Sequence, residues 1–245
     1  MNHKDQRLKH EVLHGKFLAE HSAGEIWNWE SPAGKERWKR RVAMLSSHIK
    51  PGMNTLEVGC GTGYLTKELV KTGTQINAID ISPDLLKQAE SEIKAPNVTF
   101  MIENAYDMSF KNESFDSIVG SSVLHHLDID SALTEFYRVL KPGGNIYFTE
   151  PNMMNPQIAL QKKIPYLKRR LGDSPDETAF FRWSLAKKLD LKGFIEINIV
   201  PFDFLHPSIP KTLIPVLRPF CTLAEKLHVL SEIAGSLYIR AKKPE

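Results

Sequence analysis

Leu56 to Leu65 read LEVGCGTGYL, a short apolar run followed by glycines at 59, 61 and 63 and then by a stretch, TGYLTKELVKTG, that reads as helix. Glycines placed between a strand and a helix let the backbone come close to a ligand where any Cβ would clash. Spacing narrows the choice of ligand. A phosphate loop needs GxxxxGK[ST], and no Lys-Ser/Thr pair stands in this turn, so ATP hydrolysis is disfavoured. A dinucleotide fingerprint needs GxGxxG/A, whereas GxGxG here runs on into Tyr64 and Leu65, with no small residue where helix and strand must pack closely. An NAD-dependent oxidoreductase is therefore weakened. Asp80, ending the next apolar run, does not discriminate, because any ligand carrying a ribose wants a carboxylate for its hydroxyls.

Outward from this turn the chain alternates short apolar runs with helical segments. The runs are NTLEVG, QINAID, VTFMI, FDSIVGS, NIYFTE, FIEINIV and SLYIRAK. Between them lie SPDLLKQAESEI, with Ser82 as cap and Pro83 in the first turn, and DIDSALTEFYRVLKPGG, which Pro142-Gly143 is expected to stop. Seven strands in such alternation predict a doubly wound, mostly parallel α/β sheet of Rossmann-like type, with ligands at the carboxyl ends of the strands. Upstream, Asp5 to His21 read as a helix. A second helix starts at Ser31-Pro32, with Trp38, Val42, Leu45 and Ile49 on one stripe and Lys35, Arg37, Lys39, Arg40 and Arg41 assigned to a solvated face.

The central stretch from Thr55 to Glu150 resembles the class I S-adenosylmethionine (SAM)-dependent methyltransferases, in the branch of small bacterial enzymes that act on small molecules and lipids. The motifs carrying the resemblance occur in the family's order: LEVGCGTGYL, IDISPDLLKQA, NVTFMIENAYDMSFKNESFDSIVGSSVLHHL and ALTEFYRVLKPGG. The resemblance implies SAM as cofactor. In this reading Gly59, Gly61 and Gly63 open the backbone to the methionine and ribose portions, and Glu57 orients the turn and the amino-acid end. Asp80 accepts the ribose hydroxyls, Ile81 packs on the adenine, and Asn104 beside Ala105 faces the adenine amine where the family usually has aspartate. Ser121 offers a backbone carbonyl to the methionine ammonium. The Asn104 oxygen still accepts a hydrogen bond, without the charge assistance a carboxylate gives.

Methyl transfer to oxygen or carbon gains from a base. His125 and His126, just past the fourth strand, and Glu150, ending the fifth, are the candidates for that catalytic role. For each histidine a packed structural role competes, and for Glu150 a pairing with a basic lid. Trp27 and Trp29 are placed either over the substrate or in the core of the N-terminal segment.

Composition sets the remaining bounds. The 245 residues, with a net charge of +3, suit one domain and no dedicated nucleic-acid binder. Cys60 and Cys221 form neither a disulfide framework nor metal-ligand spacing, so no metal is expected. No apolar leader is evident, and the chain reads as cytoplasmic. Residues 1–50 would be N-terminal helices, 51–150 the SAM-binding core, and 151–180 and 202–234 lid insertions. Within the first insertion, the stretch from Pro151 to Leu171 carries Lys162, Lys163, Lys168, Arg169 and Arg170 unbalanced by any Asp or Glu. The second carries Val216, Phe220, Leu223, Leu227 and Leu230 at helical spacing. The expectation is methylation of an oxygen, less so a carbon, on a lipid-like or glycosylated acceptor, with peripheral contact to the inner membrane surface as one use of the lid. Alternatives are a quinone-type ring, a natural-product hydroxyl and a SAM-binding protein without transfer activity. Oligomeric state is not legible.

Overall fold

The computed structural model describes residues 3–20 and 28–245. Two helices precede the sheet, α1 (His3–Glu20) and α2 (Pro32–Ser46). Ser31 caps α2, its hydroxyl accepting from the Gly34 N–H at 2.9 Å with Pro32 in the first turn. All seven expected strands form: β1 (Asn54–Val58), β2 (Gln75–Asp80), β3 (Val98–Ile102), β4 (Phe115–Ser121), β5 (Leu140–Pro151), β6 (Ile195–Phe202) and β7 (Ser236–Lys242). Their order is β3-β2-β1-β4-β5-β7-β6. β7 runs antiparallel to both neighbours, and the remaining pairs are parallel.

The connections are α3 (Thr66–Leu69), α4 (Pro83–Glu92), α5 (Ile129–Val139), α6 (Pro156–Lys163), α7 (Pro165–Arg170), α8 (Arg182–Leu191), α9 (Ile214–Lys226) and α10 (His228–Ser231). Two expected boundaries move. Thr62 to Leu65 belong to the turn, so α3 is one short helix continued by a 3₁₀ turn, Val70–Thr72. α5, capped by Asp128, ends at Val139 rather than at Pro142-Gly143, because Leu140 already pairs with Phe115 of β4.

Strand order reverses between β1 and β4, and that switch point sets the ligand crevice at their carboxyl ends. Beneath it, Leu56, Ile118, Phe136 and Phe148 are fully buried, with the last two rings stacked at 5.7 Å. α1 closes the crevice from above. Gly15 allows this approach, since a Cβ there would lie 2.5 Å from both Cβ and Oγ of Ser82, the cap of α4. Among the described residues no helix is long and apolar enough to cross a membrane.

Candidate functional site

A cavity of about 570 Å³ opens at the switch point. Glu57, Gly59, Gly61, Asp80, Ile81, Asn104, Ala105, Ser121, His125 and His126 all line it. Two expected residues do not. Gly63, at φ +83°, is turned toward α4, where a Cβ would meet Ile93 Cδ1 at 2.4 Å. Glu150 is wholly buried beneath the cavity.

The turn leaves room for a ligand at one glycine in particular. Gly61, at φ +54°, has nothing within 4 Å of the point a Cβ would occupy, whereas a Cβ at Gly59 would strike Val123. The Gly61 N–H donates to Asp80 Oδ2 at 2.9 Å and the Ser82 N–H to Oδ1 at 2.8 Å, fixing the carboxylate while each oxygen keeps a free lone pair. Burial pushes the Asp80 pKa up against these backbone donors. Glu57 is more extreme. Burial, opposed by a hydrogen bond from Thr66 and assisted by Asp80, raises its pKa to about 8, and its Oε2 has no partner. An orphaned buried carboxylate oxygen beside an open glycine suits a ligand that brings a hydrogen-bond donor or a positive charge, as the ammonium and ribose of SAM do.

Asn104 Oδ1 accepts the Tyr106 N–H at 3.0 Å, so its expected role toward an adenine amine falls on the second lone pair of that oxygen. Ser121 bonds Thr149 through their hydroxyls at 2.9 Å. Below them lies Arg41, which the sequence placed on a solvated face. It is buried, reaching Ser236 at 2.5 Å and Ser122 and Thr149 at 3.4 Å. Burial and the nearby Arg37 lower its pKa to about 10, with Asp203 and Glu150 opposing. Trp29 lines the cavity with Arg41 5.1 Å from its ring. Trp27 lies outside the described residues.

The three catalytic candidates fare differently. Glu150 accepts the N–H groups of Val123 and Leu124 at 2.9 and 2.8 Å and the His125 Nδ1–H at 2.6 Å. It therefore holds the post-β4 turn instead of facing the cavity. His125 is clamped on its other side by Glu177, 3.3 Å from Nε2. Burial alone would lower the His125 pKa, but the two carboxylates override it and raise the value to about 9. A buried imidazolium is a poor base at neutral pH. His126 places Nδ1 2.8 Å from Glu11 Oε2, close enough for an ion pair but off line for a hydrogen bond.

Sequence reasoning missed the groups that complete this wall. α1 contributes Glu11 and His14, the latter stacked on His126 at 5.9 Å. Burial and His126 lower the His14 pKa, leaving it neutral where an isolated histidine would begin to charge. Arg7, bonded to the Leu127 carbonyl at 2.7 Å, and His10, 2.6 Å from Asp176, pin α1 in place. Lys162, expected in an acid-free basic run, is buried instead between Asp173 at 2.9 Å and Glu177. Nothing in the pattern of α1 marks Glu11 and His14, and the partners of Lys162 lie beyond its own segment. His125, His126 and Glu177 bring ligand atoms within 4.8 Å of one another, but Glu150 and Lys162 already engage His125 and Glu177. We read this trio as an ion-pair cluster.

Residues 56–148 match the family described as a methyltransferase domain. A demethylmenaquinone methyltransferase of Tropheryma whipplei (strain Twist) is 36% identical over 180 residues, covering 67% of this chain and 75% of that protein. A 2-methyl-6-phytyl-1,4-hydroquinone methyltransferase of Synechocystis sp. is 30% identical over 171 residues, covering 67% and 54%. A solved structure from Thermotoga maritima, described as a possible histamine N-methyltransferase, shares the fold with a TM-score of 0.69 at 19% identity, over 96% of this chain and 99% of that one. With this relatedness spanning three quarters of a named methyltransferase, and with the glycine turn at the switch point, the chain belongs to the class I SAM-dependent methyltransferases.

Proposed function

We propose that the protein methylates an apolar, lipid-like acceptor bearing an ionisable hydroxyl, with a quinol-type ring as the acceptor its relatives favour. When bound, SAM supplies a methyl group already activated by its sulfonium. Asp80 would accept the ribose hydroxyls, Glu57 and the Ser121 backbone would face the amino-acid end, and Arg41 offers a cation for the carboxylate. Asn104 and Ala105 would border the adenine.

One observation carries the acceptor chemistry: His14, whose pKa burial and His126 push below the ordinary histidine value, lines the same cavity as the glycine turn. It can take the proton of an acceptor hydroxyl, and the carboxylates of Glu11 and Glu177 favour the imidazolium that results. The same deprotonation activates either the oxygen itself or, in a quinol-type ring, the adjacent ring carbon. His125 and Glu150 serve as positioning residues, since Glu150 is buried beneath the cavity holding the turn and His125 is clamped between two carboxylates. His126 orients His14 by stacking.

O-methylation of a lipid-like hydroxyl is the second reading, favoured by the apolar segments around the mouth of the cavity. The two separate on product structure. Incubating the protein with methyl-labelled SAM and a prenylated hydroquinone should yield a labelled ring C–CH₃ in the first reading and a labelled O–CH₃ in the second. Labelling of neither, with transfer to an amine instead, would overturn both.

A further inference from the structure

Two surface segments flank the mouth of the cavity. α6 contributes Gln157, Ile158 and Gln161 to its lining, Leu171 joins them just after α7, and the loop entering α9 contributes His206, Pro207 and Ser208. They meet directly: Gln157 lies 3.2 Å from His206, and Asn155 donates to the Ile233 carbonyl at 2.9 Å. α9 turns Ile214 inward and leaves the rest of its apolar stripe in solvent. Val216, Phe220 and Leu223 on α9, then Leu227, Val229 and Leu230 after it, are all exposed, Phe220 by 65%. Across the mouth Leu160, Ile164, Tyr166 and Leu171 are exposed as well. Apolar residues in such number around one opening mark a contact surface.

The charges on these segments choose the occupant. Lys163, Arg169, Arg170, Lys211 and Lys226 are exposed and form no ion pair among the described residues. No Asp or Glu occurs from Pro151 to Gly172, and the acid of α9, Glu225, is held by Arg40. Lys168 is not part of this set, because it donates to the Pro175 carbonyl at 2.7 Å. A second copy of the chain is a poor occupant: a two-fold contact sets each patch against itself, cation against cation, and would cover the cavity mouth. An anionic bilayer satisfies both features, with its headgroups meeting the cations and its acyl region receiving the apolar side chains.

We propose that α6–α7 and α9–α10 form a docking surface for anionic membrane, placing the cavity mouth against the bilayer so that a lipid-like acceptor enters without crossing water. This deepens the acceptor reading above but is tested independently of it. The experiment is sedimentation of the full chain with vesicles of phosphatidylglycerol and phosphatidylcholine in equal parts, against phosphatidylcholine alone. Binding to the anionic vesicles is expected, weakening as salt rises from about 0.1 to about 0.5 M. Phe220→Asp with Leu223→Asp, and separately Arg169→Glu with Arg170→Glu, should each reduce the binding constant about tenfold or more, with S-adenosylhomocysteine affinity by calorimetry unchanged. No binding to anionic vesicles, or binding that neither pair weakens, would overturn the proposal. So would a dimer in analytical ultracentrifugation that the Phe220/Leu223 pair dissolves. Failure of the acceptor reading is seen separately, as absence of labelled product with acceptor dispersed in detergent.

Discussion

His14 of α1 stacks on His126 of the post-β4 turn with ring centroids 5.9 Å apart, joining the N-terminal helix to the strand end where a methyl acceptor would sit. The pairing brings together two histidines that lie far apart in sequence. Burial and the neighbouring His126 lower the His14 pKa, while the carboxylates of Glu11 and Glu177 favour the imidazolium that forms when it takes a proton. His14→Ala should lower kcat by about a hundredfold or more, in the range of general-base loss. Its pKa lies below the ordinary histidine value, so the wild-type pH–rate profile should rise at acid pH and be flat at neutrality. A variant profile with the same acid limb and undiminished rate would remove His14 from the mechanism.

The cofactor assignment predicts the effect of Asp80→Ala. Loss of charge-assisted hydrogen bonds to a ribose should weaken both SAM and its demethylated product by about 1.5 to 3 kcal/mol, measured by calorimetry. Equal affinity in the variant would place the ribose elsewhere.

His125 gives a pH dependence of stability with a definite sign. Its folded pKa of about 9 lies above the ordinary value of 6.5. The clamp therefore contributes fully below pH 6.5 and is lost as pH rises to 9, by roughly 3 kcal/mol. Urea unfolding across that window should show the decline in the wild type and a flatter curve in His125→Gln.

Lys162→Met should destabilise the fold by roughly 3 to 5 kcal/mol, because Asp173 would keep a buried charge without its cation and Glu177 would be left with His125 alone. Denaturant midpoints read this directly. A neutral effect would mean that water reaches the pair.

Gly15→Val tests the closure of α1. The added side chain would meet Ser82 at 2.5 Å, and the overpacking should loosen α1 by about 1 to 3 kcal/mol. Faster proteolysis within α1 and a raised KM for SAM are expected together.

The sheet was legible because each strand is a compact apolar run between turn signals, and a parallel sheet buried on both faces asks for little more. The glycine turn and Asp80 were legible for the same local reason: their chemistry is carried by adjacent residues. The acceptor wall was not. Glu11 and His14 sit on a helix whose exposed and buried residues do not separate cleanly, so nothing in its pattern announced a face turned toward the cavity. Arg41 alternates with solvent-facing basic residues, and only the fold shows that its position points under Ser121 and Ser122. Lys162 looked unbalanced because its acids belong to the loop after α7. Tertiary pairings between distant segments leave no periodic trace in sequence.

The proposed reaction is transfer of a methyl group to an apolar, hydroxyl-bearing acceptor. Its most direct test is to incubate the protein with methyl-labelled SAM and a fractionated lipid and quinone extract, then to follow the label by mass spectrometry. Label is expected in an organic-soluble, hydroxyl-bearing product, formed at a greatly reduced rate by His14→Ala. Label recovered only in water-soluble amines or in macromolecules would contradict it.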